Sequence, residues 1–392
     1  MSDLPIDPKT NNSSRGARLS SSDCNPRHDC PQCGTDHDRQ TDGSTQKGEA
    51  VVATISLGGH AGEVATSPDG RQVYVIAADS VKVINRLHNI VGTYRIGPHP
   101  KSILVSDDGT RVYVTGYDGS TSVISTAERT VNTFALERSN AEVVSPDGAY
   151  IYLAHSGVVG DTAGSWISVV SADGATVAVV PIDRHVTDIC ISPDGHRLYV
   201  ASRRSNPCSD WDGLISTIDT RTYRVVDKLA VEFAPDTITI NGTQLYATHY
   251  HKNAFSVIDL RISAVSRWLY GDAPIDIAVS PDAAFACVTN LHSLTVFNAA
   301  ANIVKSTAIG GLPRQTRLSA DGKRAYVVDF VRKAILAFDT ADNAVMGSID
   351  VNGHPQAMAL EPDGEFLYLT DYRDGVMTVI STALLAQTAH RS

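Results

Sequence analysis

The sequence has little of what would place it at once in a functional class. Six cysteines among 392 residues are too few for a scaffold held together by disulfides. Acidic residues outnumber basic ones by 43 to 33, and the resulting net charge of −10 argues against a surface that binds nucleic acid. No apolar run approaches the roughly 18 residues that a transmembrane helix needs. We therefore expect no membrane span.

Signals of targeting and of common enzymes are also missing. The opening residues MSDLPIDPKTNNSSRG contain no apolar segment of a secretory signal. This predicts a cytoplasmic protein, with non-classical export left open. The GxSxG elbow, the Walker phosphate loop and the HExxH zinc motif do not occur. The sequence thus favours a protein that is not an enzyme, although an active site assembled from separate loops stays open.

Composition divides the chain into three parts. Residues 1–50 are rich in Ser, Asp, Asn, Thr and Gly and nearly lack apolar residues, which predicts a disordered tail. Residues 51–386 alternate short β-branched runs with turn signals, and they lack the periodicity of amphipathic helices. Residues 387–392 are expected to be a frayed C-terminus.

The central part is an internal repeat. A phrase resembling S-P-D-G-x-x-x-Y-V occurs eight times, with consecutive copies 39 to 47 residues apart. The aligned tyrosine positions are Tyr74, Tyr113, Tyr152, Tyr199, Tyr246, Cys287, Tyr326 and Tyr368. Each copy contains four short strand patterns, and four strands per ~40 residues are typical of a β-propeller blade.

We predict an all-β protein, a β-propeller of four-stranded blades. Eight repeats indicate eight blades, with seven blades as the alternative. The segment VVATISL at residues 51–57 precedes the first full repeat, and the last repeat ends after its third strand. The N-terminal strand is therefore expected to complete the C-terminal blade, because a ring with free ends would expose sheet edges.

The repeats resemble the YVTN repeat family of β-propellers. The resemblance rests on SPDG followed by YV, and on YVTG at 113–116, YVAS at 199–202, CVTN at 287–290 and YLTD at 368–371. It covers about residues 51–386 and extends to actinobacterial propeller proteins. Such relatives include surface-layer proteins, lactonase-like propellers and the eight-bladed haem d1 propeller, so the resemblance implies the fold and no single activity.

Two columns of the repeat predict a ligand site, because propellers usually bind ligands at one mouth of the central channel. Seven residues before the SPDG serine, the first column offers nitrogen donors and positive charge that suit a transition metal, an anionic ligand or cofactor propionates. Its candidates are His60, His99, Arg138, His185 and His354. Three residues after the tyrosine, the second column offers His155, His249, Asp329 and Asp371. The alternative is that both columns hold ordinary turn residues.

Two further segments carry candidates. Blades 3 and 4 have longer loops, and there Arg203 and Trp211 are residue types that dominate binding hot spots. In the tail, CPxCG resembles one knuckle of a zinc ribbon, although a second CxxC is missing. An unstructured thiol-rich tail is the alternative. The candidate metal ligands in the tail are Cys24, Cys30, Cys33 and His37.

Three functions follow from these candidates. The first is a non-catalytic scaffold that binds a protein partner or a small ligand, but no nucleic acid, on its loop face. The second is a lactonase-like hydrolase that depends on a divalent metal, zinc or a similar ion. His60, His99 and His354, with Asp371, would hold the ion, which activates a water molecule. The third is a cofactor-binding propeller resembling haem d1 domains, against which the missing CxxCH cytochrome motif counts.

Overall fold

The structure is a computed structural model that describes residues 50–159, 162–204, 212–298, 303–351 and 353–386. The chain separates into a unit of residues 1–45 and a unit of residues 46–392. All elements described below belong to the second unit. The predictions for the tail, for the C-terminus and for one loop residue lie outside the described residues. These predictions concern residues 1–49 with Cys24, Cys30, Cys33 and His37, residues 387–392, and Trp211.

The described residues form eight four-stranded antiparallel sheets. We number them as blades 1 to 8 and letter their strands a to d from the centre outward. The a strands are β2 Ala61–Thr66, β6 Pro100–Val105, β10 Ala141–Val144, β14 His185–Ile191, β18 Thr237–Asn241, β22 Pro274–Val279, β26 Pro313–Leu318 and β30 Pro355–Leu360. The b strands are β3 Gln72–Ala77, β7 Arg111–Gly116, β11 Tyr150–Val159, β15 Arg197–Arg203, β19 Gln244–His249, β23 Phe285–Asn290, β27 Arg324–Asp329 and β31 Phe366–Asp371.

The outer half of each blade consists of strands c and d. The c strands are β4 Ser80–Asn85, β8 Ser120–Ser125, β12 Thr162–Ser171, β16 Gly213–Asp219, β20 Ala254–Asp259, β24 Ser293–Asn298, β28 Ala334–Asp339 and β32 Val376–Ser381. The d strands are β5 Ile90–Arg95, β9 Thr130–Ala135, β13 Thr176–Ile182, β17 Arg224–Val231, β21 Ala264–Tyr270, β25 Ile303–Ala308, β29 Val345–Asp350 and β1 Val51–Ser56. A 3₁₀ turn Tyr250–Lys252 and a helix α1 Thr382–Leu385 complete the described elements.

The ring closes as the sequence predicts. Each a strand contacts the a strands of the two neighbouring blades, and β2 of blade 1 contacts β30 of blade 8. Strand β1 pairs antiparallel with β32, with Val51 opposite Ile380 and Ser56 opposite Val376. The N-terminal strand thus supplies strand d of blade 8, and the prediction of eight blades closed by this strand is confirmed.

The SPDG phrase forms the turn between strands a and b. In blade 1, Ser67 Oγ donates to Asp69 Oδ1 at 2.6 Å and accepts the N–H of Gln72 at 2.9 Å. Asp69 Oδ1 also accepts the N–H of Arg71 at 3.0 Å, and Gly70 has a φ of 68°. The hydrogen bond from Ser67 lowers the pKa of Asp69. These aspartates therefore stabilise turns, and the recurrence of the motif has a structural cause.

The hydrophobic core lies between blades. Eight clusters of buried residues each join the facing sides of two neighbouring blades. The repeated tyrosine belongs to these clusters: Tyr113 is fully buried, and its hydroxyl donates to the carbonyl of Gly148 in the next blade at 2.8 Å. Removing such a large side chain from water stabilises the packing by ~1.5–3 kcal/mol. A blade is thus stable only beside its neighbours.

Antiparallel order places the loops on two faces. The b–c loops and the d–a loops share one face, which we call the loop face, and the a–b and c–d turns share the other, which we call the turn face. The extra residues of blade 3 were expected to form a long loop. They instead lengthen the hairpin of β11 and β12, where Ser156 pairs with Ser165 and Val159 with Thr162.

Candidate functional site

The second repeat column lies in the b strands on the loop-face side, and its candidate side chains are buried. The imidazole of His155 donates from Nδ1 to the carbonyl of Arg138 at 2.9 Å and stacks on Trp166 at 5.1 Å. The imidazole of His249 donates from Nδ1 to the carbonyl of Ala234 at 3.1 Å. Both acceptors are first-column residues, and each lies in the d–a loop that enters the blade of its histidine. These histidines therefore hold the backbone of the loops.

Burial keeps both histidines neutral. Burial lowers the pKa of His155, and it lowers the pKa of His249 to about 4, against smaller opposing effects of backbone hydrogen bonds. His249 Nε2 accepts a hydrogen bond from Ser256 Oγ at 2.9 Å, so both of its ring nitrogens are used within the fold. His155 Nε2 is buried and has no hydrogen-bond partner among the described residues. His249 therefore has no nitrogen left for a metal ion.

The two second-column aspartates also hold the d–a loops. Whereas the histidines donate to loop carbonyls, the aspartates accept hydrogen bonds from loop N–H groups. Asp329 Oδ1 accepts the N–H of Leu312 at 3.1 Å and those of Val331 and Arg332 at 3.0 Å. Asp371 Oδ2 accepts the N–H of His354. Leu312 and His354 are again first-column residues. A carboxylate that accepts buried N–H groups is expected to stabilise its loop by a few kcal/mol, since a hydrogen bond to a charged group contributes ~1.5–3 kcal/mol and bonds that share one oxygen are not additive.

Glycines make room for these carboxylates. A Cβ on Gly311 would lie 1.7 Å from Asp329 Oδ2, and a Cβ on Gly353 would lie 1.7 Å from Asp371 Oδ2. Gly353 also has a φ of +86°, which other L-residues rarely adopt. The d–a loops of blades 7 and 8 are therefore built around buried carboxylates.

The first column lies at the surface of the loop face. His60, His99 and Arg138 are exposed, and His354 is half-buried. His60 stacks on Tyr372 of blade 8 with ring centroids 4.9 Å apart, and its Nδ1 donates to the Tyr372 carbonyl at 3.1 Å. The first column thus presents Arg138 and His354 on loops that His155 and Asp371 hold. The loops of His60 and His99 face Ala77 and Gly116 in the second column, which have no polar side chain.

His185 and Arg203 form a separate pair in blade 4. His185 begins β14 and lies opposite Arg203 at the end of β15. Burial, with a smaller effect of the Arg203 guanidinium, lowers the pKa of His185. Close by, Asp212 accepts Arg184 and Arg204 at 2.6 Å each, which arranges arginines around one carboxylate.

No three of the candidate histidines within the described ranges bring their ring nitrogens within 4.8 Å of one another. A cluster on the turn face does meet this criterion among the described residues. It consists of Glu361, Asp363 and Glu365, whose ligating atoms all lie within 4.8 Å of one another. The guanidinium of Arg86 already lies among them, with Nε 3.1 Å from Glu361 Oε1 and Nη2 3.2 Å from Glu365 Oε2. This cluster is an ion-pair network between blades 8 and 1.

Sequence reasoning missed the polar residues of the a strands, which line the channel. Asp188 Oδ2 accepts the N–H of Ile238 in the next blade at 2.8 Å, and Asp276 Oδ2 accepts that of Thr316 at 3.1 Å. Burial raises the pKa of Asp188 to about 6, with smaller contributions from Glu142 and Asp276. The available signal was the polar residue that recurs four positions before the SPDG serine. These side chains join neighbouring blades around the channel.

Comparison with known proteins agrees with this architecture. No family model matches the chain. It is 28% identical over 400 aligned residues to the seven-bladed beta-propeller protein Rv1057 of Mycobacterium tuberculosis, which covers 88% of either chain. That relative is named for seven blades, whereas the described residues here form eight four-stranded sheets.

Solved structures give the same fold. Hydrazine synthase of Kuenenia stuttgartiensis is similar with a TM-score of 0.55 and 17% identity, over 88% of this chain and 100% of that chain. The β-propeller domain of Cps50 (Swd1) from Myceliophteria thermophila has a TM-score of 0.55 and 13% identity, over 75% of this chain and 99% of that chain. At such identities the likeness shows the fold alone. With the ring of blades, it shows that this chain has the β-propeller fold.

Proposed function

We propose that this protein is a non-catalytic scaffold that binds a protein partner or a small ligand on its loop face. The observation that carries the proposal is that the two columns have different roles: the second column holds the loop backbone, and the first column lies at the surface of the loop face. Buried His155, His249, Asp329 and Asp371 hydrogen-bond the loop backbone. On these loops Arg138 is exposed and His354 is half-buried, so both side chains lie on loops that are ordered before any ligand arrives.

Preorganised loops favour binding, because the entropy of ordering them has been lost on folding and not on association. The exposed groups suit an anionic ligand: Arg138 offers a guanidinium, and His60 and His99 offer imidazoles. No helix among the described residues is long and apolar enough to cross a membrane. With a net charge of −10, a protein or small-molecule ligand is favoured over nucleic acid.

The hydrolase alternative requires His60, His99 and His354 to share one divalent ion. Their surroundings give no support for this, since His60 Nδ1 donates to a carbonyl and His354 lies in a loop held by Asp371. The distinction is testable on the full chain. Hydrolysis of a set of aliphatic and aromatic lactones is measured with added zinc or manganese, for the wild type and for the triple variant H60A/H99A/H354A.

The scaffold proposal expects both proteins to hydrolyse every lactone at the rate of buffer alone. Metal-dependent turnover by the wild type that the triple variant loses would overturn the proposal in favour of the hydrolase. The variant with Arg71→Ala on the turn face serves as control, because Arg71 is exposed and far from the loop face in the blade. Turnover lost in this control as well would show that the loss is not specific to the three histidines.

A further inference from the structure

One part of the loop face combines cations without carboxylate partners and exposed apolar side chains. We call it the blade 7–8 sector. It consists of Val331, Arg332, Lys333, Tyr372, Arg373 and His60. The first three residues lie in the b–c loop of blade 7, the next two lie in the b–c loop of blade 8, and His60 lies in the loop that enters blade 1.

Backbone and ring contacts make the sector continuous. The carbonyl of Lys333 accepts the N–H of Val351, in the loop that enters blade 8, at 2.7 Å. In the same loop, the carbonyl of His354 accepts the N–H of Tyr372 at 3.3 Å. The ring of Tyr372 then stacks on His60 at 4.9 Å. Residues of three blades are therefore neighbours along this part of the loop face.

The sector carries positive charge in an acidic protein. Arg332, Lys333 and Arg373 make no ion pair with a carboxylate of the described chain. Exposed carboxylates also occur on the neighbouring loops, at Asp79, Asp350 and Asp374. The carboxylates of Asp329 and Asp371 are buried beneath the loops and accept backbone N–H groups. A fourth cation, Arg314, lies over the ring of Phe330 at 5.1 Å.

Apolar side chains lie between these cations. Val331 is 65% exposed and Tyr372 is 45% exposed. Tyrosine and arginine are the residue types that dominate protein–protein hot spots. The loops that carry them are held from below, since Asp329 accepts the N–H groups of Val331 and Arg332, and Asp371 Oδ1 accepts that of Asp374 at 2.9 Å.

We propose that the blade 7–8 sector binds an acidic peptide segment of a protein partner. Carboxylates of the peptide pair with Arg332, Lys333 and Arg373, and an apolar side chain packs on Val331 and Tyr372. This inference rests on the proposed loop-face function and names the chemistry of its partner. The apolar groups favour a peptide over nucleic acid, because a sugar–phosphate backbone has no aliphatic side chain to fill the space between the cations.

The test is fluorescence anisotropy of the full chain with a fluorescein-labelled peptide in which Asp and Glu alternate with Leu and Phe. The variant R332Q/K333Q/R373Q is expected to bind the peptide about threefold to 150-fold more weakly than the wild type, because it loses three exposed ion pairs that each contribute about 1.4-fold to fivefold in affinity. The control variant R71Q/R221Q/K323Q removes the same charge from the turn face and is expected to bind as the wild type does. Val331→Ser is expected to weaken binding, whereas Ile262→Ser, an equally exposed aliphatic site on the turn face, is not.

Each remaining outcome overturns the inference. Equal losses in the loop-face and turn-face charge variants would indicate attraction by overall charge. Unchanged binding in Val331→Ser, with tighter binding of single-stranded DNA at the same salt, would indicate a nucleic-acid ligand. Absence of peptide binding would remove the acidic partner and leave the scaffold proposal standing, provided that lactone hydrolysis stays at background. Turnover that depends on the three histidines would remove the scaffold proposal itself.

Discussion

Glu361 is expected to make the stability of the ring depend on pH at the junction of blades 8 and 1. Glu361 occupies the first position of the SPDG phrase in blade 8, where six other blades have the serine of the a–b turn. The Glu361 side chain is 0% exposed, and its Oε1 lies 3.1 Å from Nε of Arg86 in blade 1. Burial, followed by the charge of Asp363, raises the pKa of Glu361 to about 7 from an ordinary 4.5, although Arg86 opposes the rise.

The direction and size of the effect follow from the two pKa values. Between pH 4.5 and about 7 the folded protein keeps a proton on Glu361 that the unfolded chain has lost. The contribution of this proton to the free energy of unfolding is therefore fully present below pH 4.5, and it is lost as the pH rises through 7. The difference between a pKa of about 7 and one of 4.5, at 1.36 kcal/mol per pH unit, corresponds to roughly 3 kcal/mol of unfolding free energy across this pH window.

Urea unfolding of the wild type and of Glu361→Gln at pH 5 and pH 8 measures this pH dependence of the free energy of unfolding. Gln has the shape of the protonated acid, so the two proteins should differ by less than about 1 kcal/mol at pH 5. At pH 8 the variant should be more stable by about 2–3 kcal/mol. Comparing wild type with variant cancels the titration of His88 nearby. Glu365→Gln, at a 61% exposed side chain, is the control and should change stability by less than about 0.5 kcal/mol at either pH. A variant less stable at pH 8 would refute the reasoning, because the Arg86 pair would then outweigh burial.

The other predictions concern the loops. Asp329→Ala leaves three N–H groups without their acceptor and should lower the free energy of unfolding in urea by about 2–4 kcal/mol, whereas exposed His99→Ala should change it by less than about 0.5 kcal/mol; similar losses in both would contradict the assignment of roles. Gly353→Ala should lower the melting temperature by several degrees, because its Cβ would collide with the Asp371 carboxylate. Gly164→Ala, where a Cβ would meet nothing within 4 Å, should not lower it. Equal melting temperatures would contradict the role of Gly353 in making room for Asp371. By NMR, His249 should stay neutral down to about pH 5, and a midpoint near 6.5 would show that its ring is solvated.

The fold could be predicted because its determinants are local and repeated. The Ser–Asp turn needs only side chains two and five residues from its backbone partners, so the same phrase marks the same turn in blade after blade. The closing strand was also predictable, since the last repeat lacked one strand and residues 51–57 supplied it. The strand observed is Val51–Ser56.

The roles of the site residues could not be predicted, because they depend on contacts between segments. His155 and His249 occupy the expected column, but the sequence does not tell that each ring donates to a loop carbonyl more than a dozen residues earlier. Asp188 bonds a strand of the next blade 50 residues away, and no spacing rule indicates that partner. The extended hairpin of blade 3 was taken for a loop because its glycines and polar residues match turn composition.

The most direct test of the scaffold account is the metal content of the full chain purified without chelator. Wild type and H60A/H99A/H354A are compared by elemental analysis after identical dialysis. The account predicts the same ratio of metal to protein in both, since these histidines hold no ion. A stoichiometric divalent ion in the wild type that disappears from the triple variant would contradict the account and make the loop face a metal centre.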